Sequence, residues 1–132
     1  MSQLLEEQQK TVKKHMHKAS DVFLHATETQ CSGNFRMNGV NGEKKYCAVG
    51  LLGLYSGGFE NEITAFPTFS KIYERFGEEL NQNKVKCPEC EIEASIMSLL
   101  PHLNNDITPN SDYTSHGRTF KEIGQWLQGI GY

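Results

Sequence analysis

The residues best suited to chemistry are thiols and imidazoles: the chain carries four cysteines and five histidines. Cys87 and Cys90 enclose Pro88 and Glu89, and that two-residue gap lets both sulfurs reach one tetrahedral ion. A single pair is half a site. Cys31, Cys47, His102 and His116 could supply the rest, although none forms a second pair by spacing. We take Cys31 and His102 as the metal candidates that complete Cys87 and Cys90, with structural zinc as the candidate cofactor. The bland alternative is two thiols at a helix start. A redox pair, its first thiol acidified by a helix N-terminus, is a third reading. No βαβ pattern surrounds the pair, and only residues 83–86 could form a preceding strand.

A second constellation is nucleophilic. Cys47 opens a helix, where a thiolate is favoured, and His102 or His116 could act as its base. Asn105 or Asp106 would orient that base, as in cysteine hydrolases. Against this, Cys47 lies in the most apolar run of the chain, where a buried, inert residue is the usual meaning. Asn105 and Asp106 also suit turn chemistry, and Asp106 could hold the final helix through Arg118. His15 and His17 are two apart, point to different sides of a helix, and read as surface residues. Ser56-Gly57-Gly58 follows a helix rather than preceding one, so it is no phosphate cradle.

The elements that must position these residues follow from periodicity. Residues 46–55, Tyr-Cys-Ala-Val-Gly-Leu-Leu-Gly-Leu-Tyr, have almost no polar face, which belongs to a buried central helix. Gly50 and Gly53 lie one turn apart, where another backbone could come close. Leu5, Val12, Met16, Ala19, Phe23 and Ala26 form one apolar stripe, predicting a helix over 3–26. Its lysines lie largely off the stripe and read as a solvated face. Pro67 opens a helix over 68–76 with Phe69, Ile72, Tyr73 and Phe76 inward. Residues 81–86 read as a polar linker.

Glu89, Glu91 and Glu93 suit the first turns of a helix over 89–100 whose buried face is Ile92, Ile96, Leu99 and Leu103. Pro101 is expected to kink or end it. Thr119-Phe120-Lys121-Glu122 is a capping box that opens a helix over 119–128. Phe120, Ile123 and Leu127 face inward there, with Trp126 beside them. Asn38-Gly39 and Asn41-Gly42 are turn dipeptides, around which residues 35–37 and 44–46 could pair as a small hairpin.

The chain has 132 residues, 37% of them hydrophobic, which suits one domain over 1–132. Its net charge of −3 gives no general attraction to nucleic acid or anionic membrane, and no apolar run reaches a membrane span. The polar, periodic N-terminus lacks a secretory pattern, so a reducing, cytoplasmic setting is expected, with thiols or metal ligands rather than disulfides.

Three segments carry a resemblance. Cys47-Ala48-Val49-Gly50, His102-Leu103-Asn104-Asn105-Asp106 and residues 119–127, Thr-Phe-Lys-Glu-Ile-Gly-Gln-Trp-Leu, resemble an uncharacterised family of small prokaryotic and phage proteins. Some of these carry a Cys-Pro-x-Cys in the place of residues 87–90. The resemblance covers roughly residues 46–58 and 87–128 and implies no activity. It does imply that Asn105, Asp106 and His116 share one site, with residues 107–115 an insertion relative to the family pattern.

The sequence therefore predicts a mainly α, single compact domain: about five helices around a buried central helix, with room for a small β-hairpin. The expected function is that of a small cytoplasmic accessory or binding protein, phage- or mobile-element-related by resemblance. It would act through a protein partner and could be zinc-stabilised. Neither nucleic acid nor membrane is expected as a partner. The alternative is a hydrolase using Cys47 with His102 or His116 and Asp106.

Overall fold

The computed structural model describes residues 18–57, 59, 66–105 and 115–132. Among them are six helices and five short strands in two sheets, so the architecture is mixed α/β. This corrects the mainly helical fold expected from the sequence. The strands have two or three residues each, too short for period-two alternation to register.

The first sheet has the order β1-β3-β2, from β1 (Thr29–Gln30), β2 (Arg36–Asn38) and β3 (Lys44–Tyr46). The expected hairpin is present: β2 and β3 are antiparallel with Arg36 opposite Tyr46 and Asn38 opposite Lys44. Its turn closes through Gly39 N–H on the Glu43 carbonyl, with Gly42 at φ +81°. β1 adds to β3 in parallel, a contact no local pattern announced.

β3 runs straight into α2 (Ala48–Tyr55), the buried central helix. Every residue of it is buried except Leu54. The glycines serve close approach. A Cβ on Gly50 would collide with the Phe35 carbonyl oxygen, and one on Gly53 would run into Pro67 and the Phe59 ring. Phe35 must come that close because its carbonyl accepts from Cys47 N–H at 3.3 Å.

Against α2 pack α1 (Ala19–His25), α3 (Phe69–Phe76) and α5 (Ile96–Asn104), and α6 (Phe120–Gly129) packs on α1 and α5. The described part of the N-terminal stripe behaves as expected: Ala19 and Phe23 are buried and Ala26 is partly so, while Leu5, Val12, Met16, His15 and His17 lie outside the described residues. α1 lies along α6, with the Phe23 and Phe120 rings 5.8 Å apart. In α3, Ile72 and Phe76 are buried but Phe69 is exposed. The capping box of α6 is complete: Thr119 Oγ1 accepts from Glu122 N–H, and Glu122 accepts from Thr119 N–H.

Residues 79–95 depart most from expectation. The expected linker over 81–86 overlaps α4 (Glu79–Gln82) and holds β4 (Lys84–Lys86), and β4 pairs antiparallel with β5 (Glu93–Ser95). The helix expected from residue 89 begins only at Ile96, capped by Ser95, whose Oγ accepts from Ser98 N–H. Lys86 opposite Glu93 is a favourable cross-strand charge pair, so the acidic residues read as helix-start signals serve a hairpin instead. Ile92 is exposed accordingly. Pro101 removes one donor from α5 without ending it, and Leu99, Leu100 and Leu103 stay in the core.

Candidate metal centre

The β4–β5 hairpin holds the cysteine pair at its tip. Cys87 N–H donates to the Ile92 carbonyl at 2.9 Å, which extends the ladder by one rung and closes the loop Cys87-Pro88-Glu89-Cys90-Glu91-Ile92. Pro88 presets its own φ for a tight turn. The turn folds back on the first sulfur: Glu89 N–H donates to Cys87 Sγ at 3.4 Å. Burial pushes the Cys87 thiol up, while the backbone N–H groups of Glu89 and Cys90 pull it back down.

Two imidazoles arrive from elsewhere. His102 is in the last turn of α5. His116 lies in the extended segment ahead of α6, and that segment is stitched to the end of α5. His116 N–H donates to the His102 carbonyl at 3.0 Å, Arg118 N–H to Leu103 at 2.7 Å and Gly117 N–H to Asn105 at 2.8 Å. The carbonyls a helix leaves open at its C-terminus are thereby satisfied, and the same bonds bring His116 beside His102.

The result is a compact Cys₂His₂ cluster. Cys90 Sγ lies 3.2 Å from His102 Nε2, and His116 Nε2 lies 3.1 Å from the same atom. The imidazole rings meet edge to face, with centroids 4.5 Å apart. One ligand atom from each of Cys87, Cys90, His102 and His116 falls within 4.8 Å of all the others. His102 Nε2 offers a single lone pair or a single proton, yet faces both Cys90 Sγ and His116 Nε2. A shared cation would accept lone pairs from all four residues at once. The cluster could therefore hold a metal ion.

Of the four metal candidates from the sequence, Cys87, Cys90 and His102 converge and Cys31 does not. Cys31 sits in the turn after β1, its thiol donating to the Asn34 carbonyl at 3.3 Å. Burial, with help from nearby Cys47, pushes that thiol up to about 11. The fourth member of the cluster is His116, which the sequence offered among the residues that could supply the rest as well as a base. No local pattern signals its pairing with His102, because residues 103–115 lie between them.

The nucleophilic candidates separate. Cys47 is the N-cap of α2, its Sγ accepting from Gly50 N–H at 3.4 Å, and burial pushes its thiol up despite the backbone donors around it. His102 and His116 group with Cys87 and Cys90 instead. Asn105 Oδ1 accepts from Gly33 N–H at 3.1 Å, a backbone tie. Asp106 lies outside the described residues.

Sequence reasoning passed over Asn104, the most connected polar side chain near the cluster. It is buried, its Oδ1 accepts from Ala48 N–H at 3.0 Å and Gln30 Nε2 at 2.8 Å, and its Nδ2 donates to the Cys31 carbonyl at 2.8 Å. Gln30 in turn donates to the Arg118 carbonyl and accepts from Phe120 N–H. These bonds join the ends of β1, α5 and the start of α6 to the N-terminus of α2. The doubled asparagine at 104–105 was the available signal, since a polar pair following an apolar helical face needs partners. No family model, curated protein or solved structure matches the chain, so its functional reading rests on this geometry.

Proposed function

We propose that the chain is a small zinc-stabilised binding protein. The carrying observation is the convergence of Cys87, Cys90, His102 and His116. Two sulfurs and two imidazoles are a preferred donor set for zinc. A tetrahedron with Zn–S near 2.3 Å and Zn–N near 2.0–2.1 Å puts ligand atoms about 3.3–3.8 Å apart. The 3.1 and 3.2 Å approaches need only a small outward adjustment to match. Four protein ligands fill a tetrahedral ion, the arrangement of a structural site rather than a catalytic one with an open position. The zinc ties the β4–β5 hairpin to the end of α5 and to the segment leading into α6.

A protein partner in a cytoplasmic setting is the accompanying reading, and the family resemblance supports a phage or mobile-element context. All four cysteines are free thiols, which suits a reducing compartment. Phe66 and Phe69 are exposed and pack edge-on against Phe35, at 5.8 and 5.9 Å, with Met37 and Val40 of the β2–β3 hairpin also exposed. Aromatic residues left on a surface in this way favour protein contact. Among the described residues, no helix is long and apolar enough to cross a membrane.

Elemental analysis of the purified chain, with thiol alkylation before and after chelation, tests the proposal. One zinc per chain is expected, with Cys87 and Cys90 protected until chelator is added. Absence of bound metal after refolding with zinc would remove the reading. Rapid alkylation of Cys47 in the folded protein would bring the hydrolase reading forward.

A further inference from the structure

Three separate stretches of chain supply the four ligands: the loop 87–90, the last turn of α5, and the segment at His116. One residue touches all three. Arg118 N–H donates to the Leu103 carbonyl, the residue after His102, at 2.7 Å. Arg118 follows His116 by two residues. Its guanidinium Nη2 pairs with the Glu89 carboxylate, which sits between the two cysteine ligands. Its Nη1 reaches Glu122 Oε2 at 3.1 Å, and Glu122 is already fixed by the capping box. The Arg118 Nε is out of solvent and has no hydrogen-bond partner. The guanidinium is thus held by two carboxylates from different stretches of the chain.

We infer that Arg118 is a positioning residue of the metal site, clamping the Cys87–Cys90 loop through Glu89 against the backbone that carries His102 and His116. The inference rests on the zinc reading. An isolated surface ion pair would do little. This one differs because both ends are anchored: Arg118 by its backbone bonds and by Glu122, and Glu89 by the closed loop in which it lies. Opening the clamp lets the two thiolates swing away from the imidazoles, and metal leaves through that motion. Groups that orient metal ligands from outside the coordination sphere typically change affinity by about 10- to 100-fold. Arg118 acts through a loop rather than directly on a ligand, so the lower end of that range is expected.

The test is zinc release from the full-length protein to a chromophoric chelator. Arg118→Ala and Glu89→Gln should each keep one zinc per chain and release it roughly tenfold faster. The double variant should be no faster than either single one. Arg118→Lys, which keeps a cation between Glu89 and Glu122, should stay closer to the wild-type rate. The cobalt-substituted single variants should show shifted d–d bands, reporting a changed ligand geometry. Gly50→Ala destabilises the central helix through the Phe35 carbonyl without touching the pair or Glu122, and should lower Tm while leaving release unchanged. If Arg118→Ala fails to fold, Glu89→Gln carries the test alone. Wild-type release rates in zinc-loaded single variants, additive effects in the double, or equal acceleration by Gly50→Ala would each overturn the clamp and leave the zinc reading standing. A wild-type chain that takes up no zinc would overturn both.

Discussion

The molecule contains two cysteine pairs, and they behave oppositely. Cys31 and Cys47 both follow strands of the first sheet, β1 and β3, which lie side by side in parallel. Both thiols there are absorbed into backbone hydrogen bonding, and burial pushes both up. Cys87 and Cys90 share the tip of a two-stranded hairpin and meet two imidazoles brought from other segments. A helix start at Cys47 offered a reactive thiol against the apolar run around it, while the Cys87–Cys90 spacing pointed to metal. What separates the regions is the company tertiary folding provides: apolar side chains and amides for one pair, histidines for the other.

The largest expected effect falls on the second region. Cys90→Ser or His116→Ala should drop zinc below one per chain, and Tm should fall by at least about 10 °C, because metal binding is coupled to folding. Calorimetry with and without chelator checks it. A small shift would mean that the hydrophobic core alone holds the hairpin, and the contrast between the regions would collapse.

The first region should fail differently. Asn104→Ala leaves Ala48 N–H, Gln30 and the Cys31 carbonyl without their partner, at a cost of about 3 kcal/mol. Metal stoichiometry should stay at one, so denaturant titration and metal analysis together separate the two networks. Loss of zinc in this variant would show that the Asn104 bonds position the metal site as well. Gly50→Ala should cost a similar amount, about 3 kcal/mol, because the new methyl meets the Phe35 carbonyl.

Thiol reactivity sharpens the contrast further. With its thiol raised from 9.0 to about 11, Cys31 stays protonated at pH 8 and should alkylate about 100-fold more slowly than an ordinary cysteine. Its rate should climb as pH rises toward 11. Cys47 should react only on unfolding. Mass spectrometry of timed alkylation distinguishes the sites.

The smallest effect concerns the cap of α6. Thr119→Ala should cost about 1 kcal/mol by urea titration. Glu122 has its carboxyl held below its ordinary 4.5, first by the Thr119 backbone N–H and then by the Thr119 side chain and Arg118. Its contribution is therefore present above pH 4.5 and is lost as pH falls through the depressed value. An acid titration of stability should flatten in Glu122→Gln.

How legible a feature was depended on how local its cause is. The capping box at Thr119 and Glu122 involves neighbouring residues and was readable in full. So was the central helix, whose apolar composition on all sides demands burial, and whose Gly50 required a close backbone. The Cys87–Cys90 spacing was readable as half a metal site. The β4–β5 hairpin was not: three residues per strand are too few for a period, and Glu89, Glu91 and Glu93 imitate a helix start.

By itself, then, the sequence determined a buried helix near 47–55, a capped helix near 119–128, and a thiol pair able to chelate. Each follows from side chains within one or two turns of one another. Only the tertiary structure decided that His116 rather than Cys31 joins His102, that Asn104 is the polar hub and that Arg118 bridges to Glu89. Backbone bonds between the end of α5 and the segment before α6 set the first, and side-chain bonds between segments distant in sequence set the other two, contacts that sequence periodicity cannot encode.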